Sequence, residues 1–259
     1  MSALSGGIDG AVGFTGGINI ADEWLPDAED GGGWRDDMIV VHGPAVGGMV
    51  DCFLTDWRQQ GGGPLHVPTG SQVDASGSQH VRVIGQAQFR QRREIVRAYL
   101  LNVYNARRRV WLTNSYFVPD PGVTRALVRA ARRGVDVRVL LPGRSDSTLV
   151  YYASRAMWPK LMKRGVRIYE WDRSVLHAKS AVIDGRWSTI GTYNLDTWSL
   201  KYNLEVNVAV LDAGFARMME DSFLRDLEVS QEVDPNDFRF RSMAERMLES
   251  LAYLFRGWL

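Results

Sequence analysis

The sequence predicts an α/β protein built on a mixed β-sheet, and three features of the text predict it. Beyond Val81, short apolar runs alternate with amphipathic stretches of helical length. Glycine and proline punctuate that alternation where elements have to end. A set of turn residues also recurs at a constant offset, 175 residues from Ile8 to Ile183, which is the mark of a duplicated unit.

The apolar runs predict strands over 81–84, 110–117, 135–141, 166–171, 176–183 and 204–211. Helical spacing predicts helices over 88–106, 121–133, 147–164 and 213–230. Pro121 suits the first turn of its helix, and Gly134 and Gly165 suit helix stops. A stretch rich in Gly, Gln, Ser and Pro, opening near Gly61-Gly62-Gly63-Pro64, reads as a linker over 58–80, and 31–33 reads as a surface loop.

The duplication is specific. Ile8-Asp9-Gly10, Gly16 and Asn19 match Ile183-Asp184-Gly185, Gly191 and Asn194, with Leu25 and Leu200 in the same register. It predicts a pseudo-twofold pair of half-domains that face each other. Their expected bounds are 1–57 for a first unit lacking its N-terminal part, 81–231 for the second, and 232–259 for a C-terminal helical segment.

Composition narrows the classes. With 31 basic and 30 acidic residues the net charge is +1, which argues against a uniformly basic nucleic-acid binder while leaving room for a local basic patch. The single cysteine, Cys52, excludes an internal disulfide and a cysteine metal cluster. No run approaches the ~18 apolar residues that cross a bilayer, and residues 1–17 lack the pattern of a signal peptide. A chain that is soluble or peripheral is the expectation. His42, His66 and His80 make no metal-ligand spacing, and no G-x-x-x-x-G-K-[ST] loop is present, so neither metal nor cofactor is expected.

The chemistry concentrates in 176–185, Leu-His-Ala-Lys-Ser-Ala-Val-Ile-Asp-Gly. On a strand His177 and Lys179 point the same way, and a phosphate would justify so polar a pair among apolar neighbours. Lys179 would neutralise its charge, and the imidazole would attack phosphorus or protonate the leaving oxygen. Asn194, after a Gly-Thr turn, can donate its amide to a phosphoryl oxygen. Glu205 is positioned to accept the Nδ1 proton of His177 and fix the tautomer. Asp184 reads as a structural residue tying the strand end to its turn, with a direct chemical role as the alternative. Thr192 can line the site through its hydroxyl. Tyr116, with Pro119, shapes a pocket mouth or else belongs to the core.

These residues carry a resemblance. His177-x-Lys179-x-x-x-x-Asp184, followed by Gly191-Thr192-x-Asn194 and Glu205, resembles the second signature of the phospholipase D superfamily. Ser115-Tyr116-Phe117-Val118-Pro119, Asn194-Leu195-Asp196, and Asn203 to Asn207 narrow it towards the bacterial cardiolipin synthases. Residues 16–23, Trp34-Arg35-Asp36 and His42-Gly43-Pro44 are similar to the same subfamily. The resemblance implies a phospholipase D-like mixed-sheet sandwich and a metal-free phosphohistidine mechanism. It also implies phospholipid substrates of phosphatidylglycerol type, and a peripheral place on the cytoplasmic face of a bacterial inner membrane. Asn19 is the implied first-half counterpart of Asn194. The same superfamily holds hydrolases and nucleases, and a silent lipid-binding or partner-binding chain is a further alternative.

The pattern is incomplete in the first half. The offset places Ser2 and Leu4 where the family has its first histidine and lysine. Asp36 falls where the family places the acid that would orient that missing histidine. The expectation is a missing preceding segment and weak activity of this chain alone, with pairing of two chains into a homodimer as the alternative.

The C-terminus places Met243, Met247, Leu251, Leu254, Phe255, Trp258 and Leu259 on one helical stripe, opposite Arg241, Glu245, Arg246 and Glu249. An interfacial membrane helix and a helix docked on its own domain both fit that pattern.

Overall fold

The computed structural model describes residues 5–25, 33–65, 67, 77, 79–86 and 93–259. In chain order the first part holds strands β1 (Ser5–Ile8), β2 (Val12–Gly16) and β3 (Met38–His42), then helix α1 (Val46–Gln59). Next come β4 (His80–Gly85), α2 (Glu94–Asn105), β5 (Arg109–Asn114), α3 (Pro121–Arg132) and β6 (Asp136–Pro142). They are followed by α4 (Thr148–Arg155), α5 (Trp158–Met162), β7 (Arg167–Trp171), β8 (Lys179–Ile183) and β9 (Trp187–Gly191). The chain closes with α6 (Thr197–Lys201), β10 (Val206–Leu211), α7 (Ala213–Glu228), β11 (Ser230–Glu232), α8 (Pro235–Phe238) and α9 (Met243–Leu254).

Eight strands form one sheet in the order β11-β7-β6-β5-β8-β9-β10-β4. β5, β6 and β7 run parallel, and every other neighbour in that sheet is antiparallel. The parallel strands follow crossovers through α3 and through α4–α5, as parallel pairing requires. The fold is therefore the expected α/β arrangement around a large mixed sheet. A second sheet, β1-β2-β3, is wholly antiparallel.

The repeat is visible in backbone geometry. Asp9 and Asp184 both adopt left-handed φ, 49° and 55°, each followed by a positive-φ glycine, Gly10 and Gly185. Aspartate and glycine tolerate that region better than most residues, so both hairpins turn on the same pair. Ile8 faces Val12 as Ile183 faces Trp187, and Gly16 faces Met38 as Gly191 faces Asn207. A Cβ on Gly16 would lie 2.1 Å from Asp37 O, and one on Gly191 2.4 Å from Val206 O. Close strand approach fixes both glycines.

Some expectations change. The helix expected over 147–164 is two helices, α4 and α5. Pro159, at the start of α5, has no amide to continue a ladder from α4. β9 escapes periodicity because all five of its residues are buried, so nothing alternates. β1, Ser-Gly-Gly-Ile, carries too little apolar signal to be seen. The start of the helix expected at 88 lies outside the described residues, and α2 runs from Glu94.

Three cores hold the layers together. Leu112, Val139 and Ile168 pack under Leu127 and Leu161 on one face of the large sheet. Trp111, Leu140 and Phe223 fill the other face beneath α7. Ile39, Val41 and Met49 from the first part meet Ile190, Val208 and Val210 from the second, so the two sheets share a core. Each such side chain contributes about 1.5–3 kcal/mol on full burial. That shared core brings residues 34–37 beside the start of β8.

Candidate active site

The segment before β3 docks as a short parallel bridge, Arg35 against Leu176. Arg35 N donates to Val175 O and His177 N donates to Arg35 O, both at 2.8 Å. The first part of the chain thus holds the backbone of His177 directly. The Arg35 guanidinium locks the contact. It donates to both carboxylate oxygens of Asp226 on α7, to Asp37 Oδ1 at 2.5 Å and to Asp36 O at 2.7 Å. Burial opposes its charge, but Asp37 and Asp226 more than offset that and raise its pKa.

His177 Nδ1 lies 2.8 Å from Asp36 Oδ2. The same oxygen accepts Trp24 Nε1 at 3.1 Å, while Asp36 Oδ1 accepts Asp37 N at 2.8 Å. The carboxylate is 1% exposed, and these donors satisfy both of its oxygens. Trp24 and Trp34 pack against the imidazole and against each other, with ring centroids at 5.5 and 5.3 Å from it and 4.8 Å apart. With a proton on Nδ1 facing Asp36, Nε2 carries the lone pair a nucleophile needs. A Cβ on Gly17 would fall 2.2 Å from Asp36 Oδ1, so the carboxylate requires glycine there.

This arrangement corrects two expectations: Asp36, expected to orient the histidine missing from the first half, contacts His177, and Glu205 does not accept from His177. Glu205 instead accepts the Thr192 hydroxyl and, at 3.0 Å, the Asn203 amide. The reason is local: Glu205 is held by Thr192 and Asn203, 13 and 2 residues away, while Asp36, from the first part of the chain, takes the place beside His177. Residues 2 and 4, where the offset places the counterparts of His177 and Lys179, lie outside the described residues.

Lys179 is 3% exposed and donates from Nζ to His177 O. Burial pushes its pKa down to about 8, and the carboxylates of Asp36 and Glu205 only partly offset this. The ammonium is therefore charged below about pH 8 and neutral above. Phosphodiester turnover is expected to fall as pH rises through about 8, tenfold per unit once the charge is lost. A kcat/KM profile of wild type against Lys179→Arg checks this, since guanidinium keeps its charge. A profile flat to pH 10 in the wild type would remove Lys179 from phosphate binding.

Asn194 Oδ1 accepts Ser115 Oγ at 2.8 Å, which fixes the amide and turns its NH2 away from Ser115. Thr192 Oγ1 accepts Val206 N at 3.0 Å, so this hydroxyl ties β10 to the site. Burial pushes Glu205 up to about 7 against the hydrogen bonds from Thr192 and Asn203. It pushes Asp196 up to about 6 against the Ser199 amide that this residue caps. Both carboxyls can hold a proton close to neutral pH.

Of the other residues, Asp184 stands apart from this cluster. Asp184 accepts the amides of Arg107, Arg108 and Arg109 at 2.8–2.9 Å. It sits at the opposite end of β8 from Lys179, roughly 16 Å along the strand. Asp184→Ala is expected to cost about 1–3 kcal/mol of stability by stranding those amides, with turnover per folded molecule retained. Urea unfolding beside an activity assay checks it, and lost turnover at unchanged stability would place Asp184 in the chemistry. Tyr116 donates to Asp146 at 2.5 Å and is half-buried; burial and Asp146 together raise its pKa. Asn19 is half-buried, with its Oδ1 accepting the next amide, Ile20 N, at 3.0 Å.

Trp24, Trp34, Ser115 and Asp196 are neighbours of the site that residue patterns did not single out. Trp34, Ser115 and Asp196 lie within the family-like stretches, whereas nothing in the text points to Trp24. Among the described residues no group of three or more His, Cys, Asp or Glu side chains could hold a metal ion. No helix there is long and apolar enough to cross a membrane.

An imidazole beside a buried ammonium, at the start of the central strand β8 of a mixed sheet, is the arrangement this fold presents, and comparison with known proteins gives its class. Residues 100–227 match the family model described as "Cardiolipin synthase, PLD-like domain", so this part of the chain is similar to the phospholipase D-like family. It is 36% identical over 250 residues to the cardiolipin synthase of Geobacillus sp. (strain WCH70), covering 95% of this chain and 50% of that protein. It is also 36% identical over 246 residues to cardiolipin synthase 2 of Bacillus anthracis, covering 94% and 48%. The chain thus spans about half the length of the curated relatives it matches. Among solved structures, phosphatidylserine synthase of Haemophilus influenzae Rd KW20 superposes with a TM-score of 0.70 over 96% of this chain and 69% of that one, at 10% identity. The phospholipase D family member Nuc from Salmonella typhimurium gives 0.52 over 60% and 99%, at 18% identity. At those identities the two structures speak for the fold alone.

Proposed function

We propose that this chain is part of a phosphatidyltransferase of cardiolipin synthase type, with His177 as its nucleophile. The observation that carries the proposal is the Asp36–His177 hydrogen bond, which frees Nε2 beside the Lys179 ammonium. Nε2 attacks the phosphorus of a phospholipid phosphodiester; the P–N bond forms as the P–O bond to the leaving alcohol breaks. Lys179 and the Asn194 amide take up the charge of the phosphoryl oxygens. A second lipid alcohol then attacks the phosphohistidine, giving up its proton as the P–N bond breaks. Peripheral contact with a phospholipid surface supplies both substrates.

The leaving alkoxide needs a proton, and a second histidine is the natural donor. This sequence holds a single H-x-K pair, so proton delivery limits the chain on its own. Turnover about 100- to 10,000-fold below that of a two-histidine relative is the expected consequence.

The test is incubation of the purified chain with phosphatidylglycerol labelled in its phosphate. Wild type should form cardiolipin and an acid-labile phosphohistidine adduct, and His177→Ala should form neither. Equal product from His177→Ala, or a wild type that yields neither adduct nor product, would overturn the assignment.

A further inference from the structure

A groove of about 1230 Å³ runs between α2, α3, α5 and the end of α9. Nine arginine and lysine side chains line it against one carboxylate, Asp120, whose Oδ1 already accepts Gly122 N at 2.6 Å. For a chain of net charge +1 this is a concentrated asymmetry. Arg125, Arg129 and Arg132 stand exposed on α3 at helical spacing, and Lys160 and Arg164 line the same groove. Among the described residues none of these five cations is paired with a carboxylate. Cations gathered without counter-charge repel one another, and an anionic ligand relieves that cost. The groove also has apolar walls, among them Leu100, Leu200 and Val118. Val118 N donates to Leu195 O at 2.9 Å, one residue beyond Asn194, so a wall of the groove is tied to the segment that carries Asn194.

The adjoining helix α9 is oriented inside out. Its polar residue Glu249 is 1% exposed, held by Arg155 and Arg241. Its apolar stripe faces outward: Met243 is 79% exposed, Met247 70%, Leu251 56% and Leu254 70%. Of the two arrangements expected from the sequence, the helix docks on its own domain, through Glu249, Ala252 and Tyr253, and presents its apolar stripe to the surroundings. Tyr253 and Arg256, at the end of the same helix, line the groove, so the groove adjoins the helix that carries the apolar stripe.

The geometry points to this face, the basic groove together with the outward stripe of α9, as the surface that docks on an anionic phospholipid bilayer, the groove taking a headgroup phosphodiester. Apolar side chains enter the acyl boundary while the cations meet headgroup phosphates. A nucleic acid would use the cations and leave the apolar stripe without a partner. The inference rests on the lipid-substrate proposal only for the class of ligand; its own observations lie outside the His177 cluster.

Vesicle co-sedimentation of the full chain tests it, with phosphatidylcholine vesicles carrying or lacking phosphatidylglycerol. Wild type is expected to bind only the anionic vesicles, and less as salt rises. The triple variant Arg125→Glu, Arg129→Glu, Arg132→Glu should bind at least about tenfold more weakly, since each cation near such a surface contributes several-fold. Met247→Ser with Leu251→Ser and Leu254→Ser should lose the part of binding that survives high salt. All six positions are exposed, and thermal melts confirm that both variants fold. Unchanged vesicle binding by the arginine variant, or tighter binding of a DNA oligonucleotide than of anionic vesicles, would overturn the proposal. His177→Ala should bind vesicles like wild type, so failure of turnover and failure of docking are told apart.

Discussion

Asp36→Asn is expected to lower kcat by about 100- to 10,000-fold with little change in folding midpoint. Both oxygens of Asp36 accept from donors: Oδ1 from the Asp37 amide, Oδ2 from Trp24 and His177. Asparagine must turn its NH2 towards one of those donors. Facing His177, the NH2 demands a lone pair at Nδ1, which moves the ring proton to Nε2 and removes the nucleophile. Facing Asp37 N, it breaks a hydrogen bond and displaces the side chain. Either way the loss falls on the chemical step, so kcat should drop while KM moves little, and Asp36→Glu should recover part of it. Single-turnover measurement of the phosphohistidine adduct checks the claim. A turnover within about threefold of wild type would show that Asp36 does not set the tautomer.

The largest stability effect is expected at Arg35. Its guanidinium is the hub of a partly buried cluster with Asp37, Asp226 and Ser222, at side-chain exposures of 18% for Arg35 and 11% for Asp226. Replacing Arg35 by leucine leaves two carboxylates in a poorly solvated place without their counter-charge. Breaking a buried pair in this way costs about 3–5 kcal/mol. Arg35→Leu should therefore lower the urea midpoint well outside error, and adding Asp226→Leu should restore part of the loss. Activity should also fall, because the backbone bond from His177 N to Arg35 O depends on the same anchor. A change below about 1 kcal/mol would mean the cluster is solvated and the two parts of the chain hold together by apolar packing alone.

Legibility followed the period of each element. β6 and β7 were readable from their apolar residues, Val137, Val139, Leu140 and Leu141 in one and Ile168, Tyr169 and Trp171 in the other, and α3 as a stripe opening at Pro121 and closing before Gly134. β9 and β1 were not, one because every residue is buried and the other because half its residues are glycine. Asp184 was readable as a structural residue since an aspartate-glycine pair at a strand end predicts a turn, and its carboxylate lies on three backbone amides. In α9 the stripe was legible but its direction was not. Periodicity shows that a helix has two faces, and only Arg155 and Arg241 decide that Glu249 turns inward.

By itself the sequence determined the alternation of strand and helix, the duplicated Asp-Gly hairpins, and a histidine and lysine at strand spacing in 176–183. Local sterics and side-chain chemistry write all of these into a few consecutive residues. Only the tertiary structure decided which carboxylate orients His177. Asp36 lies 141 positions away, brought in by the core shared between the two sheets and by a two-residue bridge. Glu205, closer in sequence and also a carboxyl group, is taken up instead by Thr192 and Asn203. Hydrogen bonds act over about 3 Å and sequence distance does not constrain them, so the partner of a buried histidine is settled by packing alone.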